Sequence, residues 1–127
     1  MPENNQFEYA VIRLVPKVER EEFLNVGVVL YCARQQFLQM KYKLDLDKLQ
    51  LLCKQVDVEE IKQYLHAFDE ISQGVRTVSP ISQLPMASRF RWLTATRSTM
   101  LQISKVHPGL CSDAAKMLDK IFTEQVL

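Results

Sequence analysis

Nine residues constrain this chain more than any others. Residues 25–33, Asn-Val-Gly-Val-Val-Leu-Tyr-Cys-Ala, are almost wholly apolar. Such a run is the signature of a central strand covered on both faces. Residues 36–44 then alternate, with Leu38, Met40, Tyr42 and Leu44 on one face and Gln39, Lys41 and Lys43 on the other. The short Arg34-Gln35-Gln36 connection makes these two segments a hairpin. Residues 7–15, rich in aromatic and β-branched side chains and ended by Pro16, supply a further strand. Three antiparallel strands are therefore expected, with the second one central. Gly27 inside it marks a bulge or a close backbone approach. Asn25 is expected to satisfy backbone groups of the connection at residues 20–23. Both residues are read as structural.

Helices follow. Asp45 can cap a segment with Leu46, Leu49, Leu52, Cys53 and Val56 on one face. Asp57 begins a second, with Glu60 three residues on and Val58, Ile61, Leu65, Phe68 and Ile71 at helical spacing until Gly74 closes it. Residues 75–85, with two prolines, read as a loop, and residues 86–95 as a short helix carrying Phe90, Trp92 and Leu93. Residues 98–106 are expected to form a fourth strand, ended by His107-Pro108-Gly109. Ser112 or Asp113 caps a last helix whose stripe is Leu118, Ile121, Phe122 and Val126. The expected fold is one α+β domain over residues 1–127, in the order βββ-αα-α-β-α, with a sheet of about four strands packed against helices.

Composition narrows the function classes. A net charge of +1 supplies no overall attraction to nucleic acid or to an anionic membrane. The longest apolar run has eight residues, too few to cross a bilayer as a helix. Three widely spaced cysteines cannot all pair, and no secretory leader is visible, so a reducing, cytoplasmic setting is expected. Three scattered glycines exclude phosphate-cradling loops. His66 and His107 lack zinc-ligand spacing, so neither a metal nor a cofactor is expected. His107 is read as a turn residue, the cysteines as packing residues, and Trp92 as core.

Charge is nevertheless unevenly spread. Four basic and seven acidic residues give −3 over residues 45–79, and six basic and three acidic residues give +3 over residues 80–127. No Asp or Glu stands between Glu70 and Asp113. Arginine suits forked recognition of phosphate or carboxylate. Arg89, Arg91, Arg97, Ser98 and Thr99 are therefore the candidate anion site, with Arg89 and Arg97 as its exposed pair. The competing reading pairs these arginines with the acidic middle helices. Glu21 and Glu22 are the candidate acid and base, against which stands the divergence of adjacent side chains.

Two stretches carry a resemblance. Tyr9-Ala-Val-Ile-Arg-Leu-Val-Pro16 with Arg20-Glu-Glu-Phe-Leu-Asn-Val-Gly-Val-Val-Leu30 is similar to the opening of the domain-of-unknown-function family numbered 3037. So is Arg89-Phe-Arg-Trp-Leu-Thr-Ala-Thr-Arg-Ser-Thr-Met-Leu-Gln102 with the following His107-Pro-Gly-Leu110, although Thr96 stands where the family usually carries proline. The resemblance implies a small bacterial-type cytoplasmic protein. Through the family's loose association with genes for HipA-like kinases, it also implies an accessory or regulatory role beside such a kinase. It carries over no catalytic residues.

A non-enzymatic binding or regulatory module with a protein partner is the leading expectation. Its contact surface would be the basic stretch 89–105 and the loop at 20–25. Nucleic-acid binding, disfavoured by few exposed aromatics, and an enzyme combining Glu21 or Glu22 with an arginine clamp are the alternatives.

Overall fold

A computed structural model describes residues 5–16, 22–75, 79–95 and 100–127. Strands β1 (Asn5–Leu14), β2 (Leu24–Cys32) and β3 (Phe37–Tyr42) are followed by helices α1 (Leu46–Leu52) and α2 (Val58–Gln73). A 3₁₀ turn (Pro80–Gln83), α3 (Met86–Leu93), β4 (Leu101–Ile103), β5 (His107–Cys111) and α4 (Ala114–Gln125) complete the chain. All pairings are antiparallel, in the order β3-β2-β1-β4, with β5 also on β1. The fold is α+β. No helix among the described residues is long and apolar enough to cross a membrane.

Alternation along β1 separates two cores. Ala10, Ile12 and Leu14 join Ile61, Leu65, Phe68, Phe90 and Leu93 beneath α2 and α3. Phe7, with Tyr9 partly buried beside it, joins Leu118 and Ile121 of α4 on the other face. β2 lies between the layers, and Val26, Val28 and Leu30 have no exposed surface. The order of elements follows from their chemistry. Asp57 Oδ1 accepts from the Glu60 amide at 3.1 Å, and Gly74 ends α2 in the left-handed region at φ 74°. Asp113, rather than Ser112, caps α4 by accepting from the Lys116 amide at 3.2 Å. Gln35 in the β2–β3 hairpin grips the same turn, donating to Ser112 O at 2.8 Å and accepting from Ala114 N at 2.9 Å.

Three expectations need correction. The sheet has five strands, because the segment expected as one strand ended by a turn is two. β4 covers the end of β1 at Ile12–Leu14, whereas His107-Pro108-Gly109 belongs to β5, opposite Phe7–Tyr9. Proline is tolerated there because β5 is an edge strand. Gly109 is required because a Cβ on it would lie 2.5 Å from the Phe7 ring. Between the two strands Ser104 keeps the ladder whole: its amide donates to Val11 O at 2.9 Å, and its Oγ accepts from Val11 N at 2.8 Å. His107 is thus a strand residue, its ring 5.2 Å from that of Tyr9.

Second, α1 stops at Leu52, and of its expected stripe only Leu49 is buried, with Leu46 44% exposed. Third, Asn25 donates to Gln125 O in α4 at 3.0 Å, and not to Glu22 or Phe23, the described part of the connection that precedes it.

Candidate functional site

The arginine cluster is placed only in part. Arg89 is half-buried, and its guanidinium is committed to the fold. Its Nη1 donates to Ile71 O at 3.0 Å and Ser72 O at 2.8 Å, and its Nε donates to Leu84 O at 3.0 Å. These acceptors are carbonyls, two of them in the last turn of α2, where the helix dipole favours a cation. Arg89 therefore caps a helix end instead of pairing with an acidic side chain. Arg91, one turn-face away, is exposed. Arg97, Ser98 and Thr99 lie outside the described residues, as does Glu21. Glu22 is half-buried and has a partner of its own.

Three clefts of roughly 420, 240 and 300 Å³ indent the described surface, and none of the three is lined by Glu22, Arg89 or Arg91. Among the described residues, Glu22 therefore shares none of these clefts with Arg89 or Arg91.

A different constellation stands at the end of the sheet where β1 meets β2. The register runs Ile12↔Gly27, then Arg13↔Asn25, so Val26 is an extra residue. This bulge sets Asn25 directly opposite Arg13, on the face that α4 covers. Gly27 permits it, since a Cβ there would lie 2.8 Å from Lys41 O. Ile12 and Leu14 on either side of Arg13 are buried on the opposite face. Arg13 is half-buried, and among the described residues its guanidinium meets no carboxylate or carbonyl. Its Nε is shut off from solvent without an acceptor. The contact it does make is with the Phe23 ring, whose centroid is 4.6 Å from Cζ. Phe23 itself is 50% exposed.

Asn25 repeats the anomaly with opposite polarity. Its Nδ2 is committed to Gln125 O, while its Oδ1 is buried without a donor. Leaving one buried polar group unpaired costs on the order of 1–3 kcal/mol, and here a donor and an acceptor are left so on facing residues. Beyond Asn25 the 240 Å³ cleft opens, lined also by Lys43, Asp45, Lys48 and Val126. Buried polar groups left unpaired in a native fold call for an explanation, and a partner group supplied from outside is one such explanation. Sequence reasoning passed over Arg13 and Phe23. The signal available was Arg13 as the one charged residue among residues 9–15, followed by a phenylalanine in a charged connection.

The cysteines provide no comparable chemistry. Cys32 and Cys111 are buried thiols in the α4 core. Burial pushes the Cys111 thiol up, with neighbouring Cys32 adding to the effect, which is the opposite of an activated nucleophile.

Neither the curated proteins nor the solved structures contain a match to this sequence. A family model does match it, over residues 9–126, which include the Arg13–Asn25 constellation and nearly all of the chain. The chain belongs to the DUF3037 family, described as proteins of unknown function.

Proposed function

We propose that the protein is a non-enzymatic binding module that receives a segment of a partner polypeptide at the β1–β2 end of its sheet. One observation supports this above the rest: Arg13, a half-buried guanidinium with no protein acceptor among the described residues, beside a half-exposed phenylalanine. An arginine kept in a strand at the cost of desolvation, with no hydrogen-bond acceptor for its Nε among the described residues, is suited to a polar group brought from outside. Aromatic and arginine side chains are also those that dominate protein contact surfaces. The position includes Phe23 and Asn25, from one of the two surfaces that the sequence points to. Arg91 and Lys105, exposed on the other, would contribute long-range attraction to an acidic partner.

Selection of random peptides displayed on phage against the immobilised full chain tests this. Enriched peptides should bind the Arg13→Gln variant about tenfold more weakly, a difference of about 1.4 kcal/mol. They should bind Arg91→Gln within about twofold of the original. Failure to enrich any peptide, or enrichment of peptides indifferent to Arg13→Gln, overturns the reading.

A further inference from the structure

Building on that reading, we infer that the group taken between Arg13 and Asn25 is a carboxamide, the side chain of an Asn or Gln in the partner, and that Phe23 covers the position until displaced. Asn25 spends its Nδ2 on Gln125 O at 3.0 Å, which fixes the amide and leaves Oδ1 as an acceptor. Arg13 Nε–H is a donor. The two residues are register partners across β1 and β2, so both side chains rise from the same face of the sheet.

A primary carboxamide is their complement. Its C=O accepts from Arg13 Nε–H, and its N–H on the same side donates to Asn25 Oδ1. A carboxylate or phosphate satisfies Arg13 but sets a second acceptor against Oδ1. An ammonium satisfies Asn25 but brings a cation to the guanidinium. Each of these leaves a buried repulsion that the carboxamide avoids. A trans peptide unit points its C=O and N–H to opposite sides and cannot bridge both.

Both atoms are shielded from water, and the described group lying against the guanidinium is the Phe23 ring. With half its surface in solvent, that ring can rotate away without opening either core. Phe23 is accordingly a cover, which the partner side chain replaces.

Nuclear magnetic resonance titrations of the labelled full chain with acetamide and with sodium acetate decide the matter. Acetamide should shift both the Arg13 Nε–H and the Asn25 side-chain resonances saturably, while acetate should shift Arg13 alone. Phe23→Ala should tighten acetamide binding threefold or more, because no ring has to move. Arg13→Lys, which retains charge but lacks Nε–H, should lose the Asn25 response. If acetate binds as well as acetamide and perturbs both residues, the carboxamide assignment falls while the binding reading stands. If Phe23→Ala weakens acetamide binding, the ring is a contact and the cover falls. If neither probe moves Arg13 in wild type or in Phe23→Ala, the inference fails outright, and the peptide selection judges the binding reading separately.

Discussion

Arg89 holds the end of α2, and replacing it with methionine isolates what that contact is worth. Methionine retains much of the stem's apolar volume and helix propensity while deleting three hydrogen bonds, to Ile71 O, Ser72 O and Leu84 O. A hydrogen bond from a charged donor contributes about 1.5–3 kcal/mol when fully buried. Arg89 is half-buried, so about 0.5–1 kcal/mol for each is the reasonable figure. A cation at a helix C-terminus adds about 0.3–1 kcal/mol. The expected loss is therefore about 2–4 kcal/mol. For a chain of this length, that lowers the Tm by about 10 °C.

Urea unfolding followed by far-ultraviolet circular dichroism measures the loss directly, with an unchanged m-value as the check on two-state behaviour. Arg89→Lys should recover only the charge contribution, about 0.3–1 kcal/mol, because an ammonium cannot span carbonyls from both the helix and Leu84. A loss below about 0.5 kcal/mol for Arg89→Met would show that the cap does not hold α2. A second result would refute the reasoning differently. If inorganic phosphate raises the Tm of the wild type but not of Arg89→Met, the guanidinium is available to anions, and the cap is not its main use.

Three further outcomes are expected. Phe68→Ala removes a ring that lies in the larger core edge-on to Trp92 at 5.8 Å, and should cost about 3–5 kcal/mol by urea titration. Ser104→Ala strands the Val11 amide, which its Oγ accepts from at 2.8 Å, and should cost about 1–3 kcal/mol with faster hydrogen exchange at Val11. The pH dependence follows from Cys111, whose thiol is raised from 9.0 by burial, then by Cys32. A raised value means that the folded state holds the proton more tightly, so this stabilisation is present below the unfolded thiol's pKa and is lost as pH rises through the folded value. The stability difference between wild type and Cys111→Ala should accordingly shrink above pH 9, measured by urea midpoints across the alkaline range.

Elements whose signal is local were legible in the sequence. α2 declares itself because Asp57, the 3.6-residue spacing and Gly74 all agree, and its burial at Ile61, Leu65, Phe68 and Ile71 follows. The hairpin of β2 and β3 was equally plain. What escaped depends on contacts far away in the chain. His107-Pro-Gly reads as a turn by every short-range rule, yet it is a strand because Gly109 must pass beneath the Phe7 ring. Arg89 reads as half of an anion clamp because composition shows charge but not the carbonyls waiting at the end of α2. Its partners lie 17 and 18 residues back.

The candidate site was hidden by the same apolar run that made the fold legible. A strand buried on both faces has no polar alternation, so nothing in residues 25–33 announces where its register slips. Continued regularly from Ile12↔Gly27, the pairing would set Val26 opposite Arg13 and Asn25 opposite Leu14. Asn25 would then point into the α2 and α3 core. The extra residue at Val26 reverses this, returning Val26 and Leu24 to that core and turning Asn25 toward Arg13 and the end of α4. One bulge thus decides whether an asparagine amide is a burial penalty in the main core or half of a donor–acceptor pair at the sheet's end. Gly27 is what makes the slip affordable to the neighbouring strand, since any side chain there meets Lys41 O and Tyr42 Cβ at 3.0 Å or less. Asn25 and Gly27 read as structural residues in the sequence, and in the fold they flank the bulge that sets Asn25 opposite Arg13, where the candidate site stands.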